Sequence, residues 1–105
     1  MENCIVIFIT TSSLDEAKKL GRTLVEEKLA ACSNIMSPVH SIYHWQGELC
    51  DDEEALMVLK TKRELFSQIE TRVKELHSYE VPEIIAMPII EGSENYLSWL
   101  KNETQ

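Results

Sequence analysis

Hydrophobic and polar positions change period several times along this chain, and each change marks an element. Cys4-Ile5-Val6-Ile7-Phe8-Ile9 is an unbroken, β-branched run that predicts a strand buried on both faces. Ser13-Leu14-Asp15-Glu16 has the form of a capping box, in which Ser13 takes an orphan amide and Glu16 reaches back. Behind it Leu14, Ala17, Leu20, Leu24 and Val25 recur at helical spacing, and Gly21 on that helix implies close packing against a sheet. Leu29 begins a turn into a second strand, Ala30 to Ile35, which Ser37-Pro38 interrupts as an edge or a bulge would. It resumes as Val39 to Trp45, and Gln46-Gly47 reads as a hairpin turn. The return strand starts at Glu48-Leu49, is apolar from Ala55 to Leu59 and ends near Lys60. Thr61-Lys62-Arg63-Glu64 reads as a second capping box, followed by a helical stripe of Leu65, Ile69, Val73 and Leu76 with Phe66 beside it. Val81-Pro82 stops that helix, because the residue before a proline is pushed out of the helical region. Ile84 to Ile90 is the last core strand, with Pro88 marking an edge or a bulge. Gly92-Ser93 leads into a short closing helix with Tyr96, Trp99 and Leu100 on one side.

The order is β-α-β-β-α-β plus a terminal helix, an α+β chain of the ferredoxin-like, split βαβ kind. Its 105 residues form one domain, 1–105. The central hairpin is unusually long. From Ala31 to Trp45 a straight strand would span roughly 50 Å, whereas a domain of this size is roughly 34 Å across. The hairpin tip therefore lies beyond the body and exposes Ile42, Tyr43 and Trp45. A long apolar edge aggregates unless another chain pairs with it. The pattern thus predicts an oligomer of closed symmetry in which hairpins complete neighbouring sheets.

Composition narrows the partners. Eighteen acids against ten bases give a net charge of −8, which argues against nucleic acid and against an anionic membrane surface. The apolar run near the N-terminus has no basic residue before it and is only about seven residues long, so no signal peptide is expected. Nothing approaches the ~20 apolar residues of a membrane span. Cys4, Cys32 and Cys50 are odd in number and widely spaced, which fits neither a disulfide framework nor a zinc motif. Free thiols without an export signal point to the cytosol.

The densest chemistry lies in His77-Ser78-Tyr79-Glu80-Val81-Pro82-Glu83, at a helix-to-strand junction. Such junctions commonly present functional side chains from a rigid scaffold. Cys32 reads either as a soft metal ligand or as a small buried hydrophobe. His77 reads as a second ligand, as an acid–base partner, or as a histidine stabilised at a helix C-terminus. Two donors do not close a shell of about four, so carboxylates such as Glu83, waters or other subunits would have to contribute. His40 and His44 lie about 13 Å apart on a strand and cannot share an ion. Asp51-Asp52-Glu53-Glu54 reads as a solvated acidic edge that discourages wrong pairing. Tyr43, Trp45, Lys60, Tyr79 and Glu80 are candidates for a pocket between subunits, with Lys60 meeting a carboxylate or an anionic ligand. No nucleophile elbow or oxyanion loop accompanies Cys32, and no enzymatic activity is expected.

Five segments in order carry a family resemblance: Leu29 to Ile35, Ser41 to Glu48, Leu59-Lys60-Thr61, Leu76 to Ile84 and Tyr96 to Leu100. Across nearly its whole length the chain resembles the CutA family, small proteins named for divalent-cation tolerance. The resemblance implies a homotrimer of ferredoxin-like subunits that binds copper or another divalent metal ion. It makes Cys32 and His77 the copper-site candidates. Two departures stand out. Some relatives carry a cysteine at the end of the first strand, where this chain has Phe8-Ile9-Thr10-Thr11. The family usually has proline after the histidine, where this chain has Ser78. The alternative implied function is that of the architecturally similar PII signalling proteins, a trimer holding a small anionic effector between subunits.

Overall fold

The computed structural model describes residues 3–105. Strand β1 (Cys4–Thr11) leads into helix α1 (Leu14–Glu26), strands β2 (Cys32–Trp45) and β3 (Glu48–Lys62), helix α2 (Phe66–Leu76), strand β4 (Ile84–Pro88) and helix α3 (Glu94–Asn102). The four strands form one antiparallel sheet in the order β2-β3-β1-β4, which is the ferredoxin-like arrangement.

One face of the sheet carries the main core. Ile5, Ile7 and Ile9 of β1 and Ala55, Met57 and Leu59 of β3 alternate inward and meet Ala17, Leu20 and Leu24 of α1 and Ile69 and Val73 of α2. The period-2 and period-3.6 patterns of the sequence converge on this layer. Ser13 caps α1 by accepting the Glu16 amide. Glu16 itself reaches back to Ser12 rather than to Ser13. Gly21 is where α1 comes closest to the sheet, since an added Cβ would sit 2.9 Å from the Ser33 hydroxyl.

The other face corrects the reading of β1 as buried on both sides. Val6, Phe8, Leu56 and Val58 are only half-buried, and Met36, Ile85 and Met87 are exposed. The strand registers place all of them on one face. Helix α3 covers only the end of it, where Leu100 packs on Cys4 and Ala31. An apolar sheet face this open is unusual for a lone subunit.

Three local expectations also change. Thr61 is a buried strand residue whose hydroxyl donates to the Leu29 carbonyl, so it caps nothing, and α2 starts after a 3-10 turn at Arg63–Leu65 without a side-chain cap. Strand β4 stops at Pro88 rather than Ile90; it is an edge strand, where proline does least harm. Strand β2 runs through Ser37-Pro38, with a bulge between Met36 and Val39. Beyond the bulge β2 and β3 continue as a two-stranded ribbon that turns at Gln46-Gly47, both in the left-handed region. The longest dimension is 44 Å, less than the straight-strand length, as expected of a ribbon that bends at a bulge. The ribbon exposes Ile42, Tyr43 and Trp45 as the sequence indicates, and also Leu49.

Candidate functional site

Two clusters of polar side chains occupy opposite ends of the open sheet face. The first lies where the ribbon leaves the body and the α2–β4 loop crosses it. Register places Ser41 opposite Asp52 and Val39 opposite Glu54, so Ser41, Tyr43 and Trp45 share a ribbon face with Asp52 and Glu54. Against this face the loop lays Tyr79, Glu80 and Glu83. Together they line a cleft of about 620 Å³. The Tyr43 hydroxyl donates to Asp52 Oδ2 at 2.6 Å, and that hydrogen bond to a carboxylate pushes the phenol up to about 12. The Tyr79 hydroxyl donates to Glu54 Oε2. Burial first, and then this hydrogen bond, push the Tyr79 phenol upward.

The loop is held from below by Glu16 and His77. Glu16 accepts from the Ser78 amide at 2.8 Å and hydroxyl at 3.0 Å, and from the Ser12 hydroxyl at 2.8 Å. Burial acts to raise its carboxyl, but the hydrogen bonds from Ser78 and Ser12 outweigh burial and lower it. His77 ends α2, its amide bonded to the Val73 carbonyl. Its side chain is fully buried. Nδ1 accepts the Tyr79 amide at 3.0 Å and is therefore unprotonated. Nε2 then carries the proton and donates to the Thr10 carbonyl at 2.7 Å.

The second cluster surrounds Cys32. Lys60 lies opposite it in the register, and the Lys60 ammonium donates to Asn34 Oδ1 and lies 3.8 Å from Cys32 Sγ. Among the described residues no carboxylate lies within ion-pair reach of Lys60. Burial, and then the neighbouring Cys32, push the Tyr96 phenol of α3 upward.

The sequence-derived candidates thus sort by place. Tyr43, Trp45, Tyr79 and Glu80 do converge on one cleft, and Glu83 joins them there. Lys60 does not: it is six residues from Glu54 on β3, about 20 Å away, and it meets a neutral amide and a thiol rather than a carboxylate. Cys32 and His77 are not brought together either. Cys32 is aligned through Lys60 with Val6, whereas His77 is bonded at Thr10, about 13 Å further along β1. The one lone pair on the His77 ring already accepts the Tyr79 amide. Among the described residues no three His, Cys, Asp or Glu side chains are grouped to hold a metal ion.

Sequence reasoning missed Glu54, which it placed in a solvated acidic run. The residue is only 7% exposed. The available signal was period-2 alternation, because Glu54 continues the face of Leu56 and Val58. His40 and His44 are exposed on the ribbon as expected, and Cys4 is in the core.

Comparison with known proteins agrees with this architecture. The family described as CutA1 divalent ion tolerance protein matches residues 5–103. The divalent-cation tolerance protein CutA of Thermus thermophilus is 48% identical over 94% of this chain and 96% of its own length. The chloroplastic protein CutA of Arabidopsis thaliana is 44% identical, and this chain spans 56% of it. The solved structure described as the periplasmic divalent cation tolerance protein CutA from Archaeoglobus fulgidus superposes with a TM-score of 0.94 at 38% identity, over 97% of this chain and 99% of that one. These relatives are named for different compartments, and no helix of the described residues is long and apolar enough to cross a membrane. By sequence over nearly its whole length, and by fold, the chain belongs to the CutA1 divalent ion tolerance protein family.

Proposed function

We propose that the protein acts as a homotrimer in divalent-cation tolerance, meeting copper or another divalent ion as cargo rather than as a resident cofactor. The observation that supports assembly is the open sheet face. Phe8, Leu56, Val58, Met36, Ile85 and Met87 form an apolar surface that this chain leaves uncovered, beside a ribbon whose Ile42 and Leu49 are each 68% exposed. Copies related by closed symmetry would cover both. Support for the cation comes from family membership and from the names of the relatives.

Cys32 is the candidate soft donor, a half-exposed thiol. Glu83 is an exposed carboxylate at the cleft. His77 would have to release the Tyr79 amide before its Nδ1 met an ion. Since these three do not converge within one chain, a closed coordination shell would take waters or donors from more than one copy. Binding is not coupled to any chemical step, and the protein is not an enzyme in this reading. The test is calorimetric titration of the assembled protein with Cu(I), Cu(II) and Zn(II), alongside Cys32→Ala, His77→Ala and Glu83→Gln. Loss of Cu(I) binding in Cys32→Ala is expected. Binding that is unchanged in all three variants removes these residues from the function.

A further inference from the structure

We propose that the cleft between the ribbon and the α2–β4 loop is a binding site for a small organic ammonium ion, which Glu54 anchors and the rings of Tyr43, Trp45 and Tyr79 enclose. Glu54 carries the inference. The residue is more than nine-tenths buried. Its one hydrogen bond among the described residues comes from the Tyr79 hydroxyl to Oε2. Oε1 has no hydrogen-bond partner among the described residues, and Glu54 lines the cleft. No Lys, Arg or His among the described residues lies within ion-pair reach of it. A carboxylate withdrawn from water needs a cation or several donors, and this chain supplies one hydroxyl.

The remaining lining defines the missing partner. Tyr43 and Tyr79 have already given their only protons to Asp52 and Glu54, so their oxygens retain only acceptor capacity. Glu80 and Glu83 add carboxylates at the rim, and no basic side chain lines the space. The charged groups of the wall are all acceptors, with the Ser41 hydroxyl and the Trp45 indole N–H beside them, and a wall with acidic but no basic groups favours a cationic donor. An ammonium group has three donors and no acceptor. Three aromatic rings suit an organic cation, which they attract through their π faces, and do not suit a hydrated metal ion. The volume also fits: about 620 Å³ lies in the range of small-molecule sites and is far larger than one ion requires. Within one chain the same lining offers no cation to an anionic effector. The site is independent of the Cys32 chemistry, which lies at the other end of the sheet face.

The chain has two tryptophans, so Trp99→Phe leaves Trp45 as the sole indole reporter in the assembled protein. Titration with butylammonium and 1,4-diaminobutane should change Trp45 emission saturably, and sodium or magnesium chloride at matched ionic strength should not. Glu54→Gln keeps the shape, removes the charge and should weaken binding at least tenfold while sedimentation is unchanged. Calorimetry of the unsubstituted protein with the same amines reads the site without the reporter variant. The proposal is overturned if neither amine binds, if Glu54→Gln binds as tightly, or if magnesium gives the same response. It is equally overturned if a crystal structure of the assembly shows a lysine or arginine of a neighbouring copy seated against Glu54.

Discussion

The two faces of strand β3 differ by one residue step and by their whole surroundings. Ala55, Met57 and Leu59 point into the layer beneath α1 and α2 and are fully buried. Leu56, Val58 and Lys60 point the other way onto a surface that α3 caps at one end and the α2–β4 loop crosses at the other, open between them. Alternation along a single strand therefore divides the residues that bury the core from those by which the proposed trimer would join its copies. Positions equally apolar in sequence should fail in different ways when they are changed.

The largest effect is expected from Val58→Asp, which puts a charge on the open face. A buried ion without a partner costs several kcal/mol per site, and symmetry repeats it in every copy. Sedimentation should show the assembly reduced to single chains, and an intact trimer would break the distinction between the faces. Next comes Met57→Ala on the helix-backed face, which should destabilise the fold by about 2–5 kcal/mol. Urea unfolding at fixed protein concentration reads this, and sedimentation under native conditions should not change.

A smaller effect tests the loop that borders the cleft. Ser78→Ala removes one hydroxyl donor to Glu16 and should cost about 0.5–1.5 kcal/mol, read as faster hydrogen exchange at the loop amides with core amides unaffected. The pH dependence has a defined sign. Because the folded state lowers the Glu16 carboxyl below its ordinary value of 4.5, its contribution is complete above that value. It is lost as pH falls through the lower folded-state value. Protection of the Ser78 amide relative to its intrinsic exchange rate should therefore fall in acid, before the sheet opens, and a Ser78 amide that stays protected until global unfolding would contradict this anchoring.

Much of the fold was legible in the chain, and the exceptions share a cause. The βαββαβ order, the Ser13 cap, the close approach at Gly21, the bulge near Pro38 and the overlong hairpin all follow from local chemistry or from strand length. Thr61 was misread because a Thr-x-x-Glu spacing does not show whether the hydroxyl faces a helix end or a neighbouring carbonyl; here it faces Leu29 across the fold. Strand β1 was read as covered on both faces because β-branched side chains suit an interface between copies as well as a core. At the site, the loop residues Tyr79, Glu80 and Glu83 were visible as a cluster, and Tyr43 and Trp45 as exposed aromatics. Within one chain Lys60 lies apart from them, which was not legible because a position in sequence does not reveal which end of a strand meets a loop 20 residues away. Glu54 was hidden by its acidic neighbours, although its alternation with Leu56 and Val58 sets it apart from them.

The most direct measurement is sedimentation of the unsubstituted protein across a dilution series that extends to nanomolar concentration. A single species at three times the 12.1 kDa chain mass, with no lighter folded form, is the expected result. A stable, folded single chain with its open face in water would contradict the claim that copies of this protein complete one another's sheets.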